Sequence, residues 1–186
     1  GPWEYGSFRS QKRGARKDIE EVVEAIRGGI RYRELVQKFP QQLRQYPRGM
    51  KEIYTHFQPL HRPGAPVVVL LYGRTGCGKT RWVFDTWKDE VYRKSPNCKW
   101  FDGYDRHKVV LMDDFSGASS HVTLDSTLQY FDRYDVMVEL KGSFTTLTCE
   151  FLFVTTNNHP LLWYKYEKRY EQYVALQRRF NYVLCF

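Results

Sequence analysis

An α/β fold built on a parallel sheet, preceded by a small all-α bundle, is what the sequence predicts, on three observations. Apolar runs of strand length recur at Val67–Tyr72, Val109–Met112 and Phe151–Thr155. They are unbroken rather than alternating, as strands buried on both faces of a parallel sheet require. Between the first run and a stretch free of Gly and Pro, Arg81–Trp87, lies Gly73-Arg74-Thr75-Gly76-Cys77-Gly78-Lys79-Thr80, which fits G-x-x-x-x-G-K-[ST]. Upstream, apolar residues recur at helical spacing through three short segments between residues 18 and 58.

Composition narrows the class. A chain of 186 residues holds one full domain and a small satellite, and 42% apolar residues suffice for a core. The net charge of +8 points to a polyanionic partner, a nucleic acid or a membrane surface. No apolar run approaches the roughly 20 residues a bilayer requires, and no signal-peptide pattern is visible, so the membrane reading loses. Cysteines at 77, 98, 149 and 185 form no C-x-x-C pair, which argues against a zinc site and for a reducing compartment. Gly1-Pro2 reads as the scar of a protease cleavage, with the natural chain expected to begin further upstream.

Taken in order, residues 1–17 form a basic arm: positions 3–17 show no periodicity and carry five basic side chains. They read as a solvated linker, or as an arm that touches nucleic acid or serves as a nuclear address. The helical domain spans 18–59. Asp18 and Glu21 are spaced as a capping box, Ile19, Val22, Val23 and Ile26 line one face, and Gly28-Gly29 stops the helix. A second helix is expected over 31–39, ending at Pro40, and a third over 48–58 with Met50, Ile53, Tyr54 and Phe57 on one face. Such a bundle is too thin to be stable alone and is expected to pack on the main domain or on copies of itself. Residues 60–66 read as a linker, and 66–186 as the main domain.

Within that domain, strand, glycine loop and helix N-terminus make an anion site. Glycines let backbone N–H groups turn inward around phosphate oxygens, and the open helix end adds partial positive charge. Such a loop takes a nucleoside triphosphate, with Lys79 on the β- and γ-phosphates and the Thr80 hydroxyl on Mg²⁺. Cys77 suits the loop by its small size. About 30 residues on, the second apolar run ends in two carboxylates, and we assign Asp113 to the metal and Asp114 to the attacking water. A helix is expected over 124–132. Val136–Leu140, Lys141-Gly142 and Ser143–Cys149 read as a hairpin with a lysine at its tip, which is otherwise an ordinary turn. Asn157, after the third run, can orient water without competing for the metal, although Asn is common in such turns. The Arg178-Arg179 pair before a last strand, 182–186, is either surface charge or an arginine finger for a neighbouring subunit's nucleotide.

These residues, with Arg81-Trp82, Lys99-Trp100-Phe101-Asp102-Gly103-Tyr104, Phe115, Val138-Glu139-Leu140-Lys141-Gly142, Thr155-Thr156-Asn157-Asn158, Pro160-Leu161, Trp163-Tyr164 and Ala175–Arg179, resemble the helicase part of the replication-initiator proteins (Rep) of circoviruses and related small circular single-stranded DNA viruses. Order and spacing agree from about residue 7 onward. The resemblance implies a P-loop, AAA+-type superfamily 3 helicase: a ring, usually a hexamer, moving 3′→5′ on single-stranded DNA in the host nucleus. Gly73–Thr80 looks like its Walker A motif and Asp113-Asp114 like Walker B. Lys141 with Gly142 looks like the DNA-gripping hairpin, Asn157 like the sensor, and Arg178 or Arg179 like the finger. Phe144, beside the hairpin tip, is a candidate for stacking on bases, whereas most Tyr and Phe are expected in the core. The helices at 18–58 are similar to the family's oligomerisation segment.

Family members also carry an N-terminal HUH endonuclease. His56-Phe57-Gln58 mimics its H-x-Q motif, but it falls on an expected helix and no Y-x-x-K occurs, so the nuclease is expected to be absent here. Two other classes compete with the motor: a nucleotide-switched DNA-binding platform without robust unwinding, and a small-molecule P-loop kinase. The positive charge speaks against the kinase.

Overall fold

The computed structural model describes residues 16–57, 61–96 and 98–186. The basic arm up to residue 15, together with Gln58 of the H-x-Q triplet and Leu60 of the expected linker, lies outside the described residues. The chain divides into two compact units, one ending at Phe57 and the other running from there to Phe186. No helix among the described residues is long and apolar enough to cross a membrane.

Among the described residues the first unit has four helices rather than three: α1 (Lys17–Arg27), α2 (Tyr32–Lys38), α3 (Pro40–Gln45) and α4 (Pro47–His56). Pro40 does stop α2, but it also opens α3, and Pro47 opens α4 in the same way. A proline at the first helical position has no N–H to lose and a φ already set for helix. The expected capping box is absent. α1 starts two residues earlier, with Arg16 rather than Asp18 as its cap, and the Asp18 carboxylate turns to the Arg16 guanidinium at 2.8 Å. The C-terminus follows expectation: Gly29 takes φ +84°, and the Ile30 N–H closes back on the Ala25 carbonyl. Val22, Ile26, Leu35, Phe39, Leu43, Met50 and Tyr54 form the bundle's core.

The second unit is an α/β domain on a five-stranded, all-parallel sheet. Its strands are β1 (Val67–Tyr72), β2 (Val91–Lys94), β3 (Val109–Met112), β6 (Phe151–Thr156) and β7 (Tyr182–Cys185), in the order β2-β3-β6-β1-β7. β4 (Met137–Leu140) and β5 (Ser143–Thr146) pair separately as an antiparallel hairpin. The helices are α5 (Lys79–Trp87), α6 (Leu124–Tyr130) and α7 (Tyr170–Gln177). Both faces of the sheet are covered. Val69, Leu71, Leu111 and Phe153 pack with Val83 of α5, while Val68, Leu70, Val110 and Leu152 pack with Phe101, Leu147, Trp163 and Leu176. β2 and α7 have no clear sequence signature, β2 because it is short and carries Arg93 and Lys94.

The register sets the site. β1 and β6 run side by side with Tyr72 opposite Thr156, and β3 lies on the other side of β6 with Met112 opposite Val154. The glycine loop, the two aspartates and Asn157 therefore leave the sheet at its carboxyl edge, where ligands of parallel sheets bind. The segment expected as a linker is anchored to this unit instead. Arg62 is buried, with Nε donating to the Leu147 carbonyl at 2.6 Å and Nη2 to the Tyr130 carbonyl at 2.9 Å.

Candidate functional site

β1 delivers the chain into a loop whose glycines serve different needs. Gly73 has no room for a Cβ, which would stand 2.5 Å from the Phe186 carbonyl oxygen. Gly76 and Gly78 have open space but take φ +84° and +95°, a conformation that glycine adopts without steric cost. α5 then begins at Lys79 with no side-chain cap on its first amides, leaving them available to an anion.

Lys79 is only 7% exposed. Its ammonium donates to the carbonyls of Gly73 (2.9 Å) and Arg74 (2.8 Å) and to Asn157 Oδ1 (3.0 Å), with Cys77 Sγ at 3.4 Å. All four partners are neutral, so this shielded cation has no counter-charge of its own among them; an arriving phosphate supplies one.

Asp113 sits at the end of β3, 5% exposed, and every oxygen is engaged. Oδ1 accepts from the hydroxyls of Thr80 (2.5 Å) and Thr155 (2.8 Å), and Oδ2 from the guanidinium of Arg93. Burial pulls its pKa up, but the bonds from Thr80, Thr155 and Arg93 outweigh that and hold the carboxyl below its ordinary value. Asp114 takes φ +49°; Thr155 Oγ1 accepts its N–H at 2.8 Å, and its own Oδ1 accepts from Asn157 Nδ2 at 2.9 Å. Thr80 Oγ1 and the Asp113 carboxylate are thus adjacent hard oxygen donors, the chemistry that suits Mg²⁺. Asp114 with Asn157 makes a second polar pair, on the exposed side.

These groups open on one cleft of about 500 Å³, lined by Thr75, Gly76, Gly78, Lys79, Thr80 and Arg81 from the loop side and by Asp113, Asp114 and Asn157 opposite. Gly73, Arg74 and Cys77 lie outside that lining; the Gly73 N–H donates to the Thr156 carbonyl, and the Cys77 thiol donates back to the Arg74 carbonyl. Three lining residues were given no role from the sequence, Arg81, Arg93 and Thr155, although Arg81 and Thr155 stand in the quoted motifs. Thr155 had a signal: a hydroxyl in an otherwise apolar strand must find a partner when buried. Arg93 had none, since its strand was not recognised.

The hairpin is present, with a two-residue turn at Lys141-Gly142 and Gly142 at φ +79°. The Lys141 side chain is 74% exposed, and Phe144 is 57% exposed rather than in the core. Neither Arg178 nor Arg179 lines the cleft of its own chain. Arg179 is tied to Asp132 at 2.6 Å and to the Ala175 carbonyl at 2.9 Å. Arg178, exposed just past α7, makes no side-chain hydrogen bond or ion pair among the described residues. His56 is the last residue of α4, exposed, with its ring against Phe57.

A family model described as RNA helicase matches residues 69–158. The chain is 34% identical to the replication-associated protein of Pigeon circovirus over 169 residues, 91% of this chain and 51% of that protein. It is 33% identical to that of Goose circovirus over 173 residues, 93% of this chain and 57% of the relative. With the replication-associated protein of Porcine circovirus 2 the identity is 31% over 163 residues, 87% and 50% of the two chains. The chain spans about half the length of the curated relatives it matches.

Proposed function

We propose, from the match to an RNA helicase family model and the similarity to circoviral replication-associated proteins, that the chain is an ATP-driven helicase moving 3′→5′ on single-stranded DNA as a hexameric ring. The observation that carries this reading is the convergence of Lys79, Thr80, Asp113, Asp114 and Asn157 on one cleft at the carboxyl edge of a parallel sheet. The backbone amides of Thr75, Gly76, Gly78, Lys79 and Thr80 hold the triphosphate, and Lys79 exchanges its carbonyl partners for β- and γ-phosphate oxygens. Mg²⁺, held by Thr80 and Asp113, would neutralise charge on those oxygens.

Asp114 and Asn157 hold water in line with the γ-phosphorus. As the water oxygen bonds to phosphorus it gives a proton to the Asp114 carboxylate, its general base, and the bond to the β–γ bridging oxygen breaks, leaving ADP and phosphate. A guanidinium from the adjacent copy stabilises the transferring group, and Arg178 of the partner subunit is the better candidate, because Arg179 is already committed to Asp132. Lys141 at the hairpin tip grips the DNA backbone, a contact indifferent to sequence and sensitive to salt.

Phosphate release with and without single-stranded DNA, together with strand separation on duplexes carrying a single 3′ or 5′ tail, tests the reading. Lys79→Ala is expected to lower ATP turnover at least about 100-fold, the scale of losing one preorganised donor to the reacting charge. Unchanged turnover in that variant removes the nucleotide assignment. ATP turnover without strand separation on either tail would instead favour a nucleotide-switched platform.

A further inference from the structure

The segment Lys99–Tyr104 is built against the hairpin. The Phe101 N–H donates to the Glu139 carbonyl at 2.8 Å, and Lys99 Nζ pairs with the Glu139 carboxylate at 3.2 Å. Phe101 and Tyr104 are buried on either side of Asp102, and the Asp102 carbonyl accepts from the Tyr92 hydroxyl at 3.1 Å. The Asp102 carboxylate therefore stands on a fixed base. Its two oxygens do different things. Oδ1 accepts the backbone N–H of Lys141 at 2.7 Å, which holds the turn. Oδ2 lies 3.6 Å from Lys141 Nζ, too far for a hydrogen bond and close enough for charge attraction.

We infer that Asp102 is a positioning residue that sets the hairpin's grip, its carboxylate occupying the place beside the Lys141 ammonium that a nucleic-acid phosphate must take. This rests on the reading of Lys141 as a backbone contact and adds what restrains it. Without nucleic acid, Asp102 holds the lysine head against the hairpin's own support. With nucleic acid, the arriving phosphate displaces the carboxylate and then sits beside a like charge. The grip is weakened by design and lets go readily, as a contact that must re-form at each step requires. The same carboxylate keeps the turn in shape through Oδ1, so the restraining and shaping roles can be separated by chemistry. Asparagine keeps an oxygen acceptor for the Lys141 amide and removes only the charge.

The test is fluorescence anisotropy of a labelled 20-residue oligothymidylate on the full chain, across a salt series, with Asp102→Asn, Asp102→Ala, Lys141→Ala and the double variant Asp102→Asn/Lys141→Ala. Asp102→Asn is expected to bind about two- to fivefold more tightly than wild type, the range of an exposed ion pair released. The gain is expected to vanish in the Lys141→Ala background. Asp102→Ala, which also loses the turn acceptor, is expected to bind less tightly than Asp102→Asn. A merely structural role for Asp102 gives no gain in affinity. Weakened binding in Lys141→Ala with no tightening in Asp102→Asn overturns the inference and leaves the hairpin reading standing. So does a tightening that persists without Lys141, since that is general electrostatics. Unaltered affinity and salt slope in Lys141→Ala overturn both; the expected loss is about 0.7 of slope for one single-strand phosphate contact.

Discussion

Replacing Thr155 with valine removes one oxygen from the centre of the cleft and leaves the shape almost unchanged. The hydroxyl is fully shielded and serves both aspartates: it donates to Asp113 Oδ1 at 2.8 Å and accepts the Asp114 N–H at 2.8 Å. A hydrogen bond to a carboxylate is worth about 1.5–3 kcal/mol, and a stranded amide costs about 1–3 kcal/mol. Asp114 is exposed, so water can reach its amide and the lower figure applies there; the total comes to about 3 kcal/mol. The consequence for chemistry follows from the backbone. Asp114 is held at φ +49°, a conformation that persists in a non-glycine residue only when its surroundings impose it. Without Thr155 it is expected to relax, and the carboxylate proposed to hold the water swings off. Since a well-placed general base is worth about 10²–10⁴ in rate, and the variant misplaces the group without deleting it, turnover is expected to fall at least about tenfold. Urea unfolding and steady-state ATP turnover are measured together on Thr155→Val and on Thr155→Ser, which keeps the hydroxyl. The reasoning is refuted if the valine variant unfolds at the same urea concentration as the serine variant and hydrolyses ATP as fast.

Arg62→Ala leaves the carbonyls of Tyr130, Asp132 and Leu147 without their donor. With charge-assisted bonds at about 1.5–3 kcal/mol each, a loss of about 3 kcal/mol or more is expected. In a chain of this size that lowers Tm by about 2–4 °C per kcal/mol; an unshifted thermal melt would show the segment to be a tether after all. At high pH, burial pushes the Cys149 thiol up to about 12 and the Tyr104 phenol up to about 12. Both folded values lie above the unfolded ones, so the stability is fully present below about pH 9 and is lost as pH rises toward 12. Urea midpoints are expected to be flat to about pH 9 and then to fall, less steeply in Cys149→Ala; equal slopes in the two proteins would contradict this.

Several parts of the molecule were legible from residue order because their causes are local. The loop announced itself through glycine spacing and a flanking apolar run. β3 and β6 did so through unbroken hydrophobicity, and the hairpin through a Lys-Gly turn between alternating segments. The misreadings have local causes too. Pro40 signals a stop in the sequence, yet a proline ends one helix and begins another with equal ease. Asp18 and Glu21 had capping-box spacing, but a neighbouring guanidinium competed for the carboxylate. Arg62, among prolines and glycine, reads as part of a linker, since nothing nearby in sequence supplies its carbonyl acceptors.

Residue order alone therefore placed most of the elements and the glycine loop between β1 and α5, because strand burial, glycine conformation and helix periodicity act over a few positions. The folded chain settled the partnerships. Thr155 between two aspartates, Arg93 on Asp113, Asp102 beneath Lys141, and the contrast between a tied Arg179 and an exposed Arg178 each join residues from separate segments. Hydrogen bonds and ion pairs depend on distance in space, and strand order in a parallel sheet sets that distance without leaving a mark in local sequence.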